Sequence, residues 1–341
     1  MPAMDSAIAK ALSLKEPLPE MEVLGGSGFS STYKIMSKVD GETKTYFVKT
    51  GGPSSKTMFA GEHASLNAIH NAVPSFCPQS YGHGALSTGG YFLVTDFLNL
   101  GSSKGKPSGL SFAQKLEKLH KTAAPVPDGH SSPRFGFPVP TCCGNTEQPN
   151  DFTSSWSDFY ANQRLRVISK ACEKANGKDE ELSKLIEQTA SIVVPRLLRD
   201  GHLKSHYGTP IMPVVVHGDL WSGNHGIGSI NDGPVEQVVY DPSSAYAHSE
   251  FEMGIMKMFG GFGGVLEEYR ELKPEDLPRE EYDDRVELYE LWVVFDLYVV
   301  QTALELIYNR YHHLNHTAIF GGGYRSRAVA IMERLNNKYG K

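Results

Sequence analysis

The chain has 341 residues, a formal net charge of −6 from 33 basic and 39 acidic side chains, and four cysteines. That length exceeds what one hydrophobic core usually fills, so two lobes with room for an enzyme cleft are expected. The acidic balance leaves no long basic stripe able to neutralise a phosphate backbone, which argues against a nucleic-acid partner. Cys77, Cys142, Cys143 and Cys172 lack C-x-x-C spacing, and adjacent Cys142 and Cys143 could bridge only under strain. They read as reduced thiols of a cytoplasmic protein. Met1 to Ser6 shows neither a basic-then-apolar signal nor an Arg-rich presequence. The most apolar run, Leu291 to Val300, is broken by Asp296 and falls short of the ~20 residues that cross a bilayer, so it predicts a buried helix and no membrane partner.

In chain order, residues 7 to 16 suit a short amphipathic helix ending before Pro17. Glu22 to Ile35 then reads as strand, glycine-rich turn and returning strand, with Gly25, Gly26, Ser27 and Gly28 at the turn. Such a turn lets backbone N–H groups approach a phosphate, although glycines serve ordinary hairpins equally well. Asp40-Gly41 predicts a second turn leading to the strand Thr45 to Lys49, which ends in a lysine. Residues 58 to 69 form an amphipathic pattern, and Glu62 near its start suits a helix dipole. Tyr91 to Leu98 predicts the last strand of a first lobe. The Gly/Ser-rich stretch Gly101 to Gly109 follows, and then a helix over 111–121. Residues 123 to 153 lack periodicity and predict a long loop, of a length that usually signals function. Further helices are expected over 156–172, 180–198, 284–313 and 325–338.

Two short β-branched runs each deliver an aspartate: Val214-Val215-Val216 precedes His217-Gly218-Asp219-Leu220-Trp221-Ser222-Gly223-Asn224, and Val238-Val239-Tyr240 precedes Asp241-Pro242. The five-residue interval from Asp219 to Asn224 matches the kinase loop in which Asp takes the hydroxyl proton and Asn holds Mg²⁺. Each residue alone reads as a turn former. In the order glycine loop, Lys49, Glu62, Asp219, Asn224, Asp241 they form a phosphoryl-transfer set: Asp219 as base, Asn224 and Asp241 as Mg²⁺ ligands, and Lys49 on the ATP phosphates with Glu62 as its partner. In a kinase-like architecture Thr95, Asp96 and Phe97 would be the hinge that meets adenine through main-chain groups.

These residues carry a family resemblance. His217 to Asn224, and Asp241 to Ser244 with His248-Ser249-Glu250-Phe251, resemble the fructosamine kinase (ketosamine-3-kinase) family, a branch of the aminoglycoside-phosphotransferase and choline-kinase-like fold. Phe135-Gly136-Phe137, Thr141 to Thr146, Gln148 to Asp151, Met258 to Phe262, Leu314 to His316 and Gly322 to Arg325 extend the likeness over almost the whole chain. The resemblance implies a bilobal α+β, protein-kinase-like fold, with a β-rich lobe over 1–97 and a mainly helical lobe over 98–341. It implies ATP- and Mg²⁺-dependent phosphorylation of the 3-hydroxyl of a ketosamine, free or on protein lysines. The adduct is thereby made prone to elimination, and the amine is released. Substrate contacts are sought at Trp221, which would stack on the sugar or wedge its own loop, and then at His248 and His316, which also suit structural roles. The glycine-rich turn lacks the cysteine that links subunits in some members, so a monomer or weak dimer is expected. Glu252 stands where the family often has Asp. Phosphorylation of another alcohol or amino sugar, as in aminoglycoside or choline kinases, is the alternative, and a nucleotide-binding pseudokinase stands behind it.

Overall fold

The computed structural model describes residues 3–26, 30–39, 41–101, 107–144, 146–307 and 323–340. The chain forms two compact units, each assembled from separate stretches. The first takes Met1–Thr122, Val139–Cys142 and His217–Ser244; the second takes Ala123–Pro138, Cys143–Val216 and Ala245–Lys341. The expected boundary at residue 97 therefore does not delimit either unit, because His217–Ser244 returns to the first. The helix α3 (Phe112–Lys121) also belongs to it.

The first unit is built on a five-stranded antiparallel sheet in the order β1-β2-β3-β5-β4, from β1 (Met21–Gly26), β2 (Ser30–Val39), β3 (Glu42–Gly51), β4 (Ser80–Ala85) and β5 (Tyr91–Asp96). Alternation along β3 sends Tyr46 and Val48 into a core with Ile35, Phe92, Val94 and, from the short helix α1 (Ser6–Ala11), Ile8. Lys49 consequently points to the opposite face. The helix α2 (Ser55–Ala72) buries Phe59, Leu66 and Ile69 along one stripe. It starts three residues earlier than the apolar pattern indicates. Glu62 therefore lies in its interior, in line with Phe59 and Leu66, and not in the first turn, where no acidic residue stands. Glycine inside a helix costs about 1 kcal/mol. Gly61 has a reason: a Cβ there would lie 3.0 Å from the Pro140 carbonyl oxygen and the Thr141 Cα.

A second sheet of this unit has the order β11-β10-β6, from β6 (Leu98–Leu100), β10 (His225–Ile230) and β11 (Val235–Val239). The capping box of Ser111 and Gln114 starts α3. Its buried Lys115 donates to the carbonyls of Ser75 and Gln237 and to Glu236, so one ammonium ties the helix to β11.

The second unit is mainly helical. It includes α4 (Trp156–Tyr160) and α5 (Arg166–Asn176), α6 (Glu180–Gln188) and α7 (Val194–Leu198), α8 (Phe251–Phe259), α9 (Gly263–Leu272), α10 (Tyr282–Ile307) and a last helix, Tyr324–Tyr339. One π-helical turn joins α4 to α5 and another joins α6 to α7. In chain order the short strands β7 (Thr141–Cys143) and β8 (Thr146–Gln148) come before a two-stranded ribbon that pairs β9 (Val214–Val216) with β12 (Ala245–Ala247). Trp156, Tyr160, Phe251 and Tyr289 pack edge to face at its centre. Among the described residues no helix is long and apolar enough to cross a membrane.

Candidate active site

The side chains expected to handle phosphates meet within the first unit. Lys49 Nζ lies 2.6 Å from Glu62 Oε1 and 2.5 Å from Asp241 Oδ1. The lysine and glutamate side chains are 18% and 12% exposed, while Asp241 is open at 53%. Burial works against the Lys49 charge, but Glu62 and then Asp241 outweigh it and hold the ammonium above its ordinary range. Glu62 is pushed upward, first by burial and also by the nearby Asp241 charge, against the pull of Lys49. Asp241 is lowered: the packing around its carboxylate disfavours the charge, and Lys49 more than compensates. Two carboxylates thus share one cation, and Asp241 is the one open to solvent.

The backbone at Asp241 is unusual. Its φ of 54° lies in the left-handed region, and it directly precedes Pro242. The flanking residues hold it there. Tyr240 N–H donates to the Asn224 carbonyl at 3.1 Å, and Ser243 N–H to the His217 carbonyl at 2.9 Å. Ser244 N–H donates to Ser65 Oγ on α2 at 2.9 Å. The helix that carries Glu62 is therefore tied directly to the loop that carries Asp241.

His217 joins the two aspartate loops. It is fully buried, with Nε2 3.0 Å from the Tyr240 carbonyl, while Nδ1 accepts the Asp219 N–H at 3.3 Å. A neutral ring protonated on Nε2 satisfies both contacts. Gly218 has φ 79°, and a Cβ there would lie 2.0 Å from the Ser243 carbonyl oxygen, so the loop admits only glycine. Asn224 Nδ2 donates to the Asp219 carbonyl at 2.9 Å and to its carboxylate at 3.0 Å. This turns the Asn224 carboxamide oxygen away from Asp219. Hard oxygen donors are what Mg²⁺ takes, and Asp241 and Asn224 supply a carboxylate and a carboxamide oxygen from loops bonded to each other, so the donor set fits that ion.

Next to this cluster lies a cavity of about 200 Å³. Lys49, Glu62 and Asp241 form one end, and Thr95, Asp96 and Leu98 also line it; Phe47, Leu66, Pro78, Leu100 and Tyr240 complete the walls. Apolar walls with a charged end suit a flat heterocycle bearing phosphates. Of the glycine-rich turn, Gly25 sits at a register shift of β1 with φ 153°, and Gly26 passes so near Ser30 that a Cβ would lie 2.7 Å from its carbonyl oxygen. Ser27 and Gly28 lie outside the described residues.

The expected substrate contacts fare differently. The Trp221 indole lies against Gly223 of its own loop, where a Cβ would come within 2.2 Å of the ring. His248 is buried in the second unit with both ring nitrogens engaged, Nδ1 with Tyr289 OH at 2.8 Å and Nε2 with Asp276 at 2.9 Å. Its place as a substrate contact is corrected to a structural one, since no ring nitrogen is left to meet a ligand. His316 lies outside the described residues. Sequence reasoning missed Ser65 and Asn231. The first carried no signal, whereas Asn231-Asp232-Gly233 is a turn pattern.

A β-rich unit carrying this lysine, glutamate and two aspartate loops defines a phosphotransferase of the protein-kinase-like α+β fold. The chain belongs to the fructosamine kinase family, whose model matches residues 4–302. It is 33% identical over 290 residues to the chloroplastic protein-ribulosamine 3-kinase of Oryza sativa subsp. indica, covering 85% of this chain and 72% of that one. It is 32% identical over 306 residues to the ketosamine-3-kinase of Mus musculus, covering 85% and 87%. Among solved structures, a chain from Haemophilus somnus 129PT assigned as a fructosamine-3-kinase superposes with a TM-score of 0.66 at 21% identity, covering 97% and 96%. A thermostable aminoglycoside phosphotransferase APH(4)-Ia superposes with 0.51 at 11% identity, covering 97% and 99%.

Proposed function

We propose that this protein transfers the terminal phosphoryl group of ATP to the 3-hydroxyl of a ketosamine, a fructosamine or ribulosamine on a free amine or a protein lysine. The observation that carries the reading is the joining of Lys49, Glu62 and Asp241 at the end of the cavity to Asp219 and Asn224 through His217. Lys49, held charged by Glu62, would grip the phosphates beneath the turn that carries Gly25 and Gly26. Asp219 would accept the hydroxyl proton as the new O–P bond forms and the bond to the β-phosphate oxygen breaks, releasing ADP. Asp241 and Asn224 would hold Mg²⁺, which neutralises charge developing on the β- and γ-phosphates. The main chain of Asp96 and Leu98 would meet the adenine edge, with Thr95 and Phe97 completing that segment. The names of the rice and mouse relatives support a ketosamine acceptor. The four cysteines, none of them in a disulfide among the described residues, support a reducing compartment such as the cytoplasm, although the rice relative is named as chloroplastic. The test is coupled ADP release with fructoselysine, ribuloselysine, an aminoglycoside and choline at saturating Mg²⁺. Turnover confined to the two ketosamines is expected, and turnover of neither would overturn the substrate assignment.

A further inference from the structure

We propose that Asn231 is a positioning residue of the nucleotide site, fixing the segment Asp96 to Leu98 in the register that offers its strand edge to the base. The proposal rests on reading the cavity beside Lys49 as the ATP site.

Asn231 sits in the turn between β10 and β11 with φ 49°, a left-handed backbone that Asn tolerates better than most residues. Its N–H donates to the Phe97 carbonyl at 3.0 Å, and its Oδ1 accepts the Phe97 N–H at 3.2 Å, an N–H that also reaches the Thr45 carbonyl on β3 at 3.3 Å. Its Nδ2 donates to Asp96 Oδ1. One residue therefore engages both main-chain groups of Phe97 and the side chain of Asp96. The amide oxygen of Asn231 thus takes a Phe97 N–H that a regular ladder would pair with a main-chain carbonyl. Asp96 is buried, and its carboxylate also accepts the Tyr81 hydroxyl at 2.5 Å and the Gln79 N–H at 2.9 Å.

The consequence follows from strand alternation. β6 pairs with β10 over only three residues, with Leu98 opposite Ile230, Asn99 opposite Ser229 and Leu100 opposite Gly228. Bonds between Phe97 and Asn231, and between the Gly101 N–H and the Ile227 carbonyl, fix the odd-numbered residues as those facing β10. Leu98 and Leu100 then turn their N–H and C=O groups to the other edge, on the side of the cavity they line. A slip of one residue would reverse this presentation. Three residues hold a register weakly, so the clamp at the strand's start sets it. Aspartate at 231 would keep the acceptor for Phe97 but set a like charge against Asp96. Glycine would keep the backbone and its bond to the Phe97 carbonyl and lose both side-chain bonds.

The experiment measures KM for ATP·Mg²⁺, kcat, and the inhibition constants of adenosine and of tripolyphosphate for the full chain. For Asn231→Gly we expect KM for ATP and Ki for adenosine to rise about tenfold, the scale of one hydrogen bond to a charged group, with kcat and tripolyphosphate inhibition within about twofold. Asn231→Asp should be weaker still. Adding Asp96→Asn to it should recover most of the affinity, because Nδ2, in the place of the shared Oδ1, can donate to both the new carboxylate and the Tyr81 oxygen, while the remaining oxygen still accepts from Gln79 N–H. That double variant decides the matter if Asn231→Gly folds poorly. Unchanged adenosine inhibition, equal loss of tripolyphosphate inhibition, or no recovery in the double variant would overturn the proposal while the site reading stands. Failure of the wild-type protein to bind ATP at all would overturn both.

Discussion

Asp241 combines a left-handed backbone, a following proline and a carboxylate shared with Glu62 on one lysine. Strained backbone of this kind costs on the order of 1–3 kcal/mol and persists where the surroundings over-determine it. Asp241→Gly would remove that strain and one of two competing carboxylates. The variant should therefore denature at a urea concentration no lower than wild type, yet lose turnover with ATP·Mg²⁺. A clear drop in midpoint would show that the carboxylate serves folding more than function. At Asp219 the expectation is reversed in kind: Asp219→Asn should lower kcat by about 10²–10⁴-fold, the usual worth of a positioned base, while ATP titration stays near wild type. Unchanged kcat would remove it from that role. That Lys49 meets Glu62 and Asp241, and Asp219 meets Asn224, could be expected from the sequence because a kinase-like reaction fixes their order and spacing. His248 could not, because burial decides whether a histidine meets a ligand or bonds Tyr289 and Asp276, and burial is a property of the folded chain.

At the scale of elements, α2, α3 and β3 were legible from one buried face each, β2 from its place after the glycine-rich turn, and β5 and α10 from apolar runs, since β5 is buried at Phe92 to Asp96 and α10 at every position from Leu288 to Val294. Sequence reading missed β4, whose sequence Ser-Tyr-Gly-His-Gly-Ala has two glycines and no apolar alternation, and which pairs only with β5 at the sheet's edge. It also missed β10, and with it the hairpin to β11 that carries Asn231, although the β-branched run at Val238-Val239 marks the end of β11. In the second unit a buried polar network fastens elements together. Arg285 on α10 forks onto Glu250 before α8, and it donates to the carbonyls of Asp276 and Pro278. Glu250 accepts the Asp276 N–H, and Asp276 binds His248 and the His206 N–H. Burial alone would raise Asp276, but the His248 contact and Lys273 hold it well below the usual carboxylate range. A depressed folded value means stabilisation that is complete above the unfolded value of about 4 and lost as pH falls through the folded one. Asp276→Ala should cost about 3–5 kcal/mol in urea denaturation at pH 7, the penalty for leaving a buried partner unpaired. The gap to wild type should narrow only below about pH 4. A gap that already closes between pH 7 and pH 5 would refute the depressed carboxylate.

For the whole molecule, sequence order and compact unit diverge. The likeness to the fructosamine kinase family extends over residues 4–302, but family likeness follows the chain linearly, and a contiguous reading divides it near residue 97. The chain itself leaves the first unit after Thr122 and rejoins it for His217–Ser244, because Lys49 on β3 must meet Asp241, 192 positions away. This predicts where a bound nucleotide stabilises the protein. A ligand that binds only the folded form protects the structure it touches, by about 2.7 kcal/mol at a hundredfold excess over its Kd. Hydrogen exchange with saturating ATP and Mg²⁺ should therefore slow two stretches distant in sequence. One is the strand β3 with α2 and the segment around Leu98; the other is 217–244, including the β10–β11 turn at Asn231. The same measurement on Lys49→Ala should show both effects reduced together, since the lysine bridges the elements that hold Glu62 and Asp241. Protection confined to residues before 97, with 217–244 exchanging as in the free protein, would mean that the two aspartate loops take no part in nucleotide binding.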